Sequence, residues 1–272
     1  RFKLSYVDPI KDFLKVQELK IRRENTLVLE FNGKVEKIET VDEETVTNAI
    51  IKMTKTLNQT VCALTGHGEK DFASAEPDGY KAVKAILEKQ AYVIKDLNLQ
   101  EEGKIPSDCL GITIIGAKTQ FFPKELTLID KYLENGGRAL IAFDVNPKGV
   151  DESPELVTLM NKWGVAAPHS VVIDPRSRGL GSNYTIPVIQ TFNKTHPVSK
   201  KQVLNLLFPF TRGLEPRKDL PKGLTVEWLL KTGPKAWGER NFQQVQSGRV
   251  SPNKGIDTMG PLPTAVAIEG KL

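Results

Sequence analysis

Cysteine and histidine are scarce in this sequence: two and three, respectively, in 272 residues. Cys62 and Cys109 form no Cys-x-x-Cys pair, and His67, His169 and His196 are too scattered for a zinc-binding spacing, so neither a metal nor a cofactor is expected. Long apolar runs are also missing. Nothing approaches the roughly 20 residues needed to cross a bilayer, and no secretory leader is visible. The first residue is Arg1 rather than Met, which reads as a processed or excised piece with membrane segments lost at either end. The strand-like run 264–268, stopping just before Leu272, fits such a cut. Dense basic blocks are absent too. The net charge of +5 and pI near 9.0 come from Lys and Arg spread along the chain without interleaved aromatics. That excludes a clustered nucleic-acid footprint and reads as a solvated basic surface.

What is present is ordinary for a globular protein: 39% hydrophobic and 26% charged residues, in a chain long enough for a sizeable core. Residues 1–57 read as a hairpin-helix module. Leu27, Leu29 and Phe31 alternate with polar residues, Asn32-Gly33 follows, and Val35 and Ile38 lie in a second strand, a strong hairpin signal. Thr40-x-x-Glu43 resembles a capping box, and Val46, Ala49, Ile50, Met53 and Leu57 share one face of the helix after it. Residues 58–200 take up an α/β rhythm. Short apolar strands at 61–65, 92–97, 112–116, 139–144 and 171–174 alternate with helices. In the helix at 79–90, Val83, Ile86 and Leu87 are expected to face inward. Pro123 suits the first turn of the next helix, and Ser153-Pro154 opens another. This pattern predicts a parallel sheet covered on both faces. In residues 201–272 the runs 203–210, 224–230 and 264–268 look like antiparallel strands without helices between them, a β-rich extension packing on the core.

Four positions converge on the carboxyl ends of the predicted parallel strands, where open α/β sheets bind ligands. Gly66-His67-Gly68-Glu69 follows the first core strand, so His67 is a candidate acid or base oriented by Glu69. Gly116-Ala117-Lys118-Thr119 follows the third, where a nucleophile elbow would expose Ser or Cys; here Lys118 is a candidate anion-binding group. Asp144 and Asp174 end the fourth and fifth strands and are expected on the same rim. Each has a plainer reading: a tight turn bonding its own loop, a solvated lysine, and aspartates capping loops. The polar loop with Arg176, Arg178, Gly179, Gly181 and Asn183 suits partner or anion binding and equally an exposed loop. A mononucleotide-binding role is weakened because the first βα turn lacks the Gly, Ser and Thr that cradle phosphate.

The ordered landmarks carry a resemblance. They are Asp8-Pro9, Gly66-His67-Gly68-Glu69, Ile105-Pro106-Ser107-Asp108, Glu125 through Asn135-Gly136-Gly137, His196-Pro197, Trp237-Gly238-Glu239 and Gly260-Pro261. Together they resemble the auxiliary-component family of ABC transporters that includes the gliding-motility protein GldG. The resemblance implies a periplasmic or otherwise extracytoplasmic domain tethered by flanking membrane helices, working with permease and ATPase subunits. It also implies a flavodoxin-like, class I glutamine amidotransferase-like fold, shared with intraflagellar-transport proteins. Those enzymes place a nucleophilic Cys in the turn after a core strand. Here that turn is Gly116-Ala117-Lys118, and Cys109 lies at the wrong end of the strand, so no catalytic residue is carried over.

The expectation is therefore a non-catalytic binding or scaffold domain. His67, Glu69, Lys118 and Asp144 would contact a polar ligand such as a sugar or peptide. The alternative is a hydrolase of glycan or peptide bonds using His67 with nearby carboxylates. An extracytoplasmic location permits a disulfide, but adjacent-strand geometry is often poor for one, and two buried free thiols are expected.

Overall fold

A computed structural model describes residues 3–54 and 59–270; Arg1, Leu57 and Leu272 lie outside the described residues. The N-terminal part contains α1 (Phe13–Glu18), β1 (Leu27–Phe31), β2 (Lys34–Ile38) and α2 (Glu43–Thr54). β1 and β2 form the expected hairpin, with Asn32 and Gly33 both at positive φ (48° and 77°), as a two-residue turn requires. The cap of α2 sits two residues later than the sequence suggests. Asp42 accepts the Thr45 backbone N–H at 2.7 Å, and its own N–H faces the Thr45 hydroxyl at 3.2 Å. A carboxylate at that position is the stronger acceptor.

The central part runs β3 (Gln59–Thr65), α3 (Lys81–Lys89), β4 (Tyr92–Asn98), α4 (Leu99–Glu102), β5 (Cys109–Ile115), α5 (Pro123–Glu134), β6 (Ala139–Ala142) and α6 (Pro154–Lys162). The four strands form a parallel sheet in the order β4-β3-β5-β6. Alternation along the strands divides the core. Cys62, Leu64, Ile112 and Ile114 face Ile129 of α5 and Leu156, Leu159 and Met160 of α6. Ala63 and Ile115 face the other way, onto Phe72, Tyr80 and Leu87. That second face is thinly covered. α3 packs on β4, an edge strand, so Leu87 turns inward while Val83 and Ile86, expected inside, are exposed.

The rest comprises β7 (Val165–Ala166), β8 (Val171–Ile173), α7 (Arg176–Gly179), β9 (Val188–Ile189), β10 (Thr191–Phe192), β11 (Leu206–Leu207), β12 (Glu215–Pro216), β13 (Leu224–Lys231), β14 (Trp237–Glu239), α8 (Phe242–Ser247), β15 (Thr258–Met259) and β16 (Pro263–Gly270). Three expectations are corrected here. β8 is not a fifth parallel strand; it pairs antiparallel with β14 in a separate sheet, β15-β14-β8. The run 203–210 contributes only the two residues of β11, while Val203 and Leu204 are exposed. One helix does interrupt the late strands among the described residues: Asn241 caps α8 by accepting the Gln243 and Gln244 N–H groups, and Gly248 at φ 71° ends it. The sheet β10-β13-β16 packs on the central core through Leu224 and Ile268. A second core gathers Val145, Val171, Ile173, Trp237, Phe242 and Val245.

The free-thiol expectation is also overturned: Cys62 and Cys109 form a disulfide with Cα atoms 5.6 Å apart. The cause is a register break in β5. Val61 pairs with Gly111, so unbroken pairing would set Cys109 opposite Gln59, on the face away from Cys62. The extra residue, Leu110, moves Cys109 opposite Thr60 instead, onto the face of Cys62 and one residue nearer to it.

Candidate functional site

The carboxyl ends of β3 and β5 are stitched together by backbone hydrogen bonds. Lys70 N–H donates to the Ile115 carbonyl (2.9 Å), and the N–H groups of Lys118 and Thr119 donate to the His67 carbonyl (2.7 and 3.1 Å). Gly66 turns the chain at φ 112° with the Asn98 side chain 3.6 Å from where a Cβ would sit. The His67 ring is thereby directed inward, where it stacks on Phe121 with centroids 4.0 Å apart.

His67 is only 2% exposed and is clamped between two carboxylates. Its Nδ1 lies 3.2 Å from Glu69 Oε1, and its Nε2 lies 3.1 Å from Glu125 Oε2. Glu69 also accepts the His67 backbone N–H at 2.7 Å. Glu125 sits in the first turn of α5, behind Pro123, and accepts the Phe122 N–H at 2.9 Å. Each nitrogen–carboxylate contact needs one proton in it. Two arrangements meet this: an imidazolium between two carboxylates, or a neutral ring with one carboxylic acid. In both, each ring nitrogen is already committed, and no proton or lone pair is left for a substrate. Such a triad joins the turn after β3 to the start of α5, and deleting one member would leave a buried charge uncompensated.

The remaining predicted residues are arranged around this clamp. Asp144 is about half exposed and ion-pairs with Lys70 at 3.1 Å; Lys70 also approaches Asp78 at 4.0 Å. Gly116, at φ 64°, passes so close beneath this pair that a Cβ there would be 2.7 Å from Asp144 Oδ2. Lys118 is exposed and lays its stem over Gly68. Asp174 is not on the rim. It is buried at the end of β8 and bonds Arg176 through Nε and Nη2 at 3.2 and 2.9 Å. The loop containing Arg176 and Arg178 is the short helix α7, with Arg178 over the Tyr184 ring. His196 accepts the Val198 N–H at 3.2 Å. His169 stacks on Phe242 far along the chain.

Glu125 and Lys70 were missed as site residues. Glu125 had a signal: Pro at the first helical position with Glu two residues on marks a helix start whose carboxylate folds back toward the preceding turn. Lys70 had none. Among the described residues no group of His, Cys, Asp and Glu is arranged to hold a metal, and no helix is long and apolar enough to cross a membrane.

A family model described as "ABC-type uncharacterized transport system", for auxiliary components of ABC-type transport systems, matches residues 58–272. The chain belongs to this family. As an ABC-type auxiliary component, it is associated with an ABC transport system. Among solved structures it is similar to the mmIFT52 N-terminal domain, at 16% identity and a TM-score of 0.51, covering 65% of this chain and 74% of that one. That likeness concerns the fold alone. A putative ThuA-like protein from Bacteroides uniformis ATCC 8492 aligns at 15% identity over 66% of this chain and 70% of its own, with a TM-score of 0.44, too low to define a common fold. No curated protein matches the sequence.

Proposed function

We propose that this chain is a non-catalytic, extracytoplasmic binding and scaffold domain of a membrane-anchored ABC transporter auxiliary subunit of the gliding-motility type, acting beside permease and ATPase subunits. The observation that carries this reading is the clamped His67. The one histidine at the strand ends is 2% exposed and holds a carboxylate at each ring nitrogen. The turn that would present a nucleophile reads Gly116-Ala117-Lys118. Both cysteines are consumed in a disulfide. The sheet order β4-β3-β5-β6 supports a flavodoxin-like, amidotransferase-like core, since second-first-third-fourth is the flavodoxin order. The disulfide supports an oxidising compartment outside the cytoplasm.

In this reading His67 and Glu69 are positioning residues. They fix the loop from which Lys118 projects, beside Asp144, toward a polar ligand such as a sugar or peptide. The test is affinity isolation of the full-length protein from detergent-solubilised membranes, followed by identification of what co-purifies, together with glutaminase and esterase assays. Permease and ATPase subunits in stoichiometric amounts, with no turnover, are expected. Turnover of glutamine or an activated ester, or a protein recovered without any transporter subunit, would refute the proposal.

A further inference from the structure

Residues 193–205 leave the end of β10 and return through β11, which pairs with β9 so that Leu206 lies opposite Ile189. The two ends are thereby held close together, and the segment between them is a compact surface loop. It is braced from within. The amide of buried Asn193 donates to the Trp228 carbonyl of β13 at 2.9 Å. Its Oδ1 accepts the N–H (3.0 Å) and hydroxyl (2.7 Å) of Thr195 and the His196 N–H (3.3 Å). Buried Ser199 donates to the Asn193 carbonyl at 2.8 Å, and the Val198 N–H donates to His196 Nδ1 at 3.2 Å. Lys194 Nζ donates to the Gln202 carbonyl at 3.1 Å, and the Gln202 amide donates to the Leu204 carbonyl at 2.8 Å.

The polar side chains of Asn193, His196 and Ser199 are thus spent inside, while the apolar ones stand out. Val198, Val203, Leu204 and, in β11, Leu207 are 60% to 80% exposed. Lys194, Lys200 and Lys201 are exposed among them and form no ion pair among the described residues. No Asp or Glu occurs in residues 193–214. The carboxylates that come near, Glu227 and Glu269, stand at the base of the loop on β13 and β16, beside Asn193 and His196. Apolar tips set among lysines without acidic partners suit a surface that is anionic outside and apolar beneath. The composition is the reverse of a protein interface, where lysine is depleted and Tyr, Trp and Arg supply the anchors. Residues 194–207 contain none of those three. A second exposed apolar stretch, with Tyr6, Ile10 and Leu14, has Asp8 and Asp12 interleaved and lacks that complementarity.

We propose that this loop docks on the surface of an anionic phospholipid bilayer, with Val198, Val203 and Leu204 entering the headgroup region and Lys194, Lys200 and Lys201 set against lipid phosphates. Such a contact goes beyond a place in a transporter, and protein-free vesicles test it without permease or ATPase subunits. The test is co-sedimentation of the full chain with vesicles of phosphatidylcholine alone and of equal parts phosphatidylcholine and phosphatidylglycerol. The chain binds the mixed vesicles, more weakly as salt rises, and binds phosphatidylcholine alone at least about tenfold more weakly. Val203→Ser/Leu204→Ser and Lys200→Gln/Lys201→Gln each weaken binding about tenfold and leave the unfolding midpoint unchanged, because all four side chains are exposed. Two controls keep the parent's binding: Lys148→Gln/Arg240→Gln, which removes the same charge elsewhere, and Ile10→Ser/Leu14→Ser, which removes apolar surface elsewhere. No binding to the mixed vesicles would overturn the assignment. So would a loss in either control equal to that of the loop variants, which would reduce the effect to net charge or general stickiness. Loop variants that bind as the parent does would also overturn it and leave the loop to a protein partner.

Discussion

Reducing the Cys62–Cys109 bond is the sharpest perturbation the structure suggests. The two residues are 47 apart, and the loop they close contains most of β3, all of α3, β4 and α4, and the start of β5. In the chain-entropy treatment, closing a loop of that size removes about 14 cal/mol/K from the unfolded ensemble, or about 4 kcal/mol at 25 °C. Both sulfur atoms lie in the main core, where Cys62 is fully buried and Cys109 nearly so, so the reduced thiols also have to be accommodated in close packing. Spread over a domain of this size, 4 kcal/mol corresponds to a drop of about 10 °C in melting temperature. The assay has two parts. Thiol titration of the denatured, unreduced protein should find no free thiol. Urea unfolding with and without a phosphine reductant should then show the midpoint moving down, with the unfolding free energy lower by about 4 kcal/mol, and a Cys62→Ala/Cys109→Ala variant should match the reduced protein and ignore the reductant. Two titratable thiols per chain would refute the pairing. A bonded protein whose midpoint does not move on reduction would refute the loop-entropy argument.

Three further outcomes follow. His67→Ala leaves the carboxylates of Glu69 and Glu125 buried without their shared partner, and should lower unfolding stability by roughly 3 kcal/mol or more in urea titrations; a loss below about 1 kcal/mol would mean that the clamp is not a structural element. Gly116→Ala forces a side chain into the left-handed region and against Asp144, so a loss of about 1–2 kcal/mol is expected by the same measurement, and wild-type stability would contradict the geometry. His169 gives a pH dependence with a definite sign. Its folded-state pKa is depressed by burial, so the unfolded chain binds more protons as pH falls through the ordinary histidine value of 6.5. The stability it contributes is complete above that value and declines below it; thermal melts from pH 8 to 5 should show this slope reduced in His169→Phe, and an identical slope in both proteins would exclude the assignment.

The parallel core was readable because its strands are short apolar runs bounded by glycine and proline, and its helices open with Pro123 and Pro154. The Asn32-Gly33 hairpin was readable for a similarly local reason. What failed depended on partners far away in sequence. The apolar run 171–173 fits a parallel strand, but Trp237–Glu239 claims it in an antiparallel sheet, and Asp174 leaves the rim with it. Val83 and Ile86 have helical spacing toward a core, yet the edge position of β4 gives them nothing to cover. At the site, the glycines around His67 announced a turn at a strand end. The second carboxylate on its ring comes from Glu125, 58 residues away; its place at a helix start was readable locally, but its contact with His67 was not.

The unpaired Leu110 in β5 gives the bond to Cys109 a further meaning. A single-residue slip between β3 and β5 would point the two sulfur atoms to opposite faces of the sheet, where the bond could not close. The bond therefore holds β3 and β5 against such a slip. The bond reports that alignment only once β5 has paired, and neither β6 nor any later element takes part in it. Deleting Leu110 would straighten β5 and leave Cys109 opposite Thr60 in unbroken pairing, still on the face of Cys62.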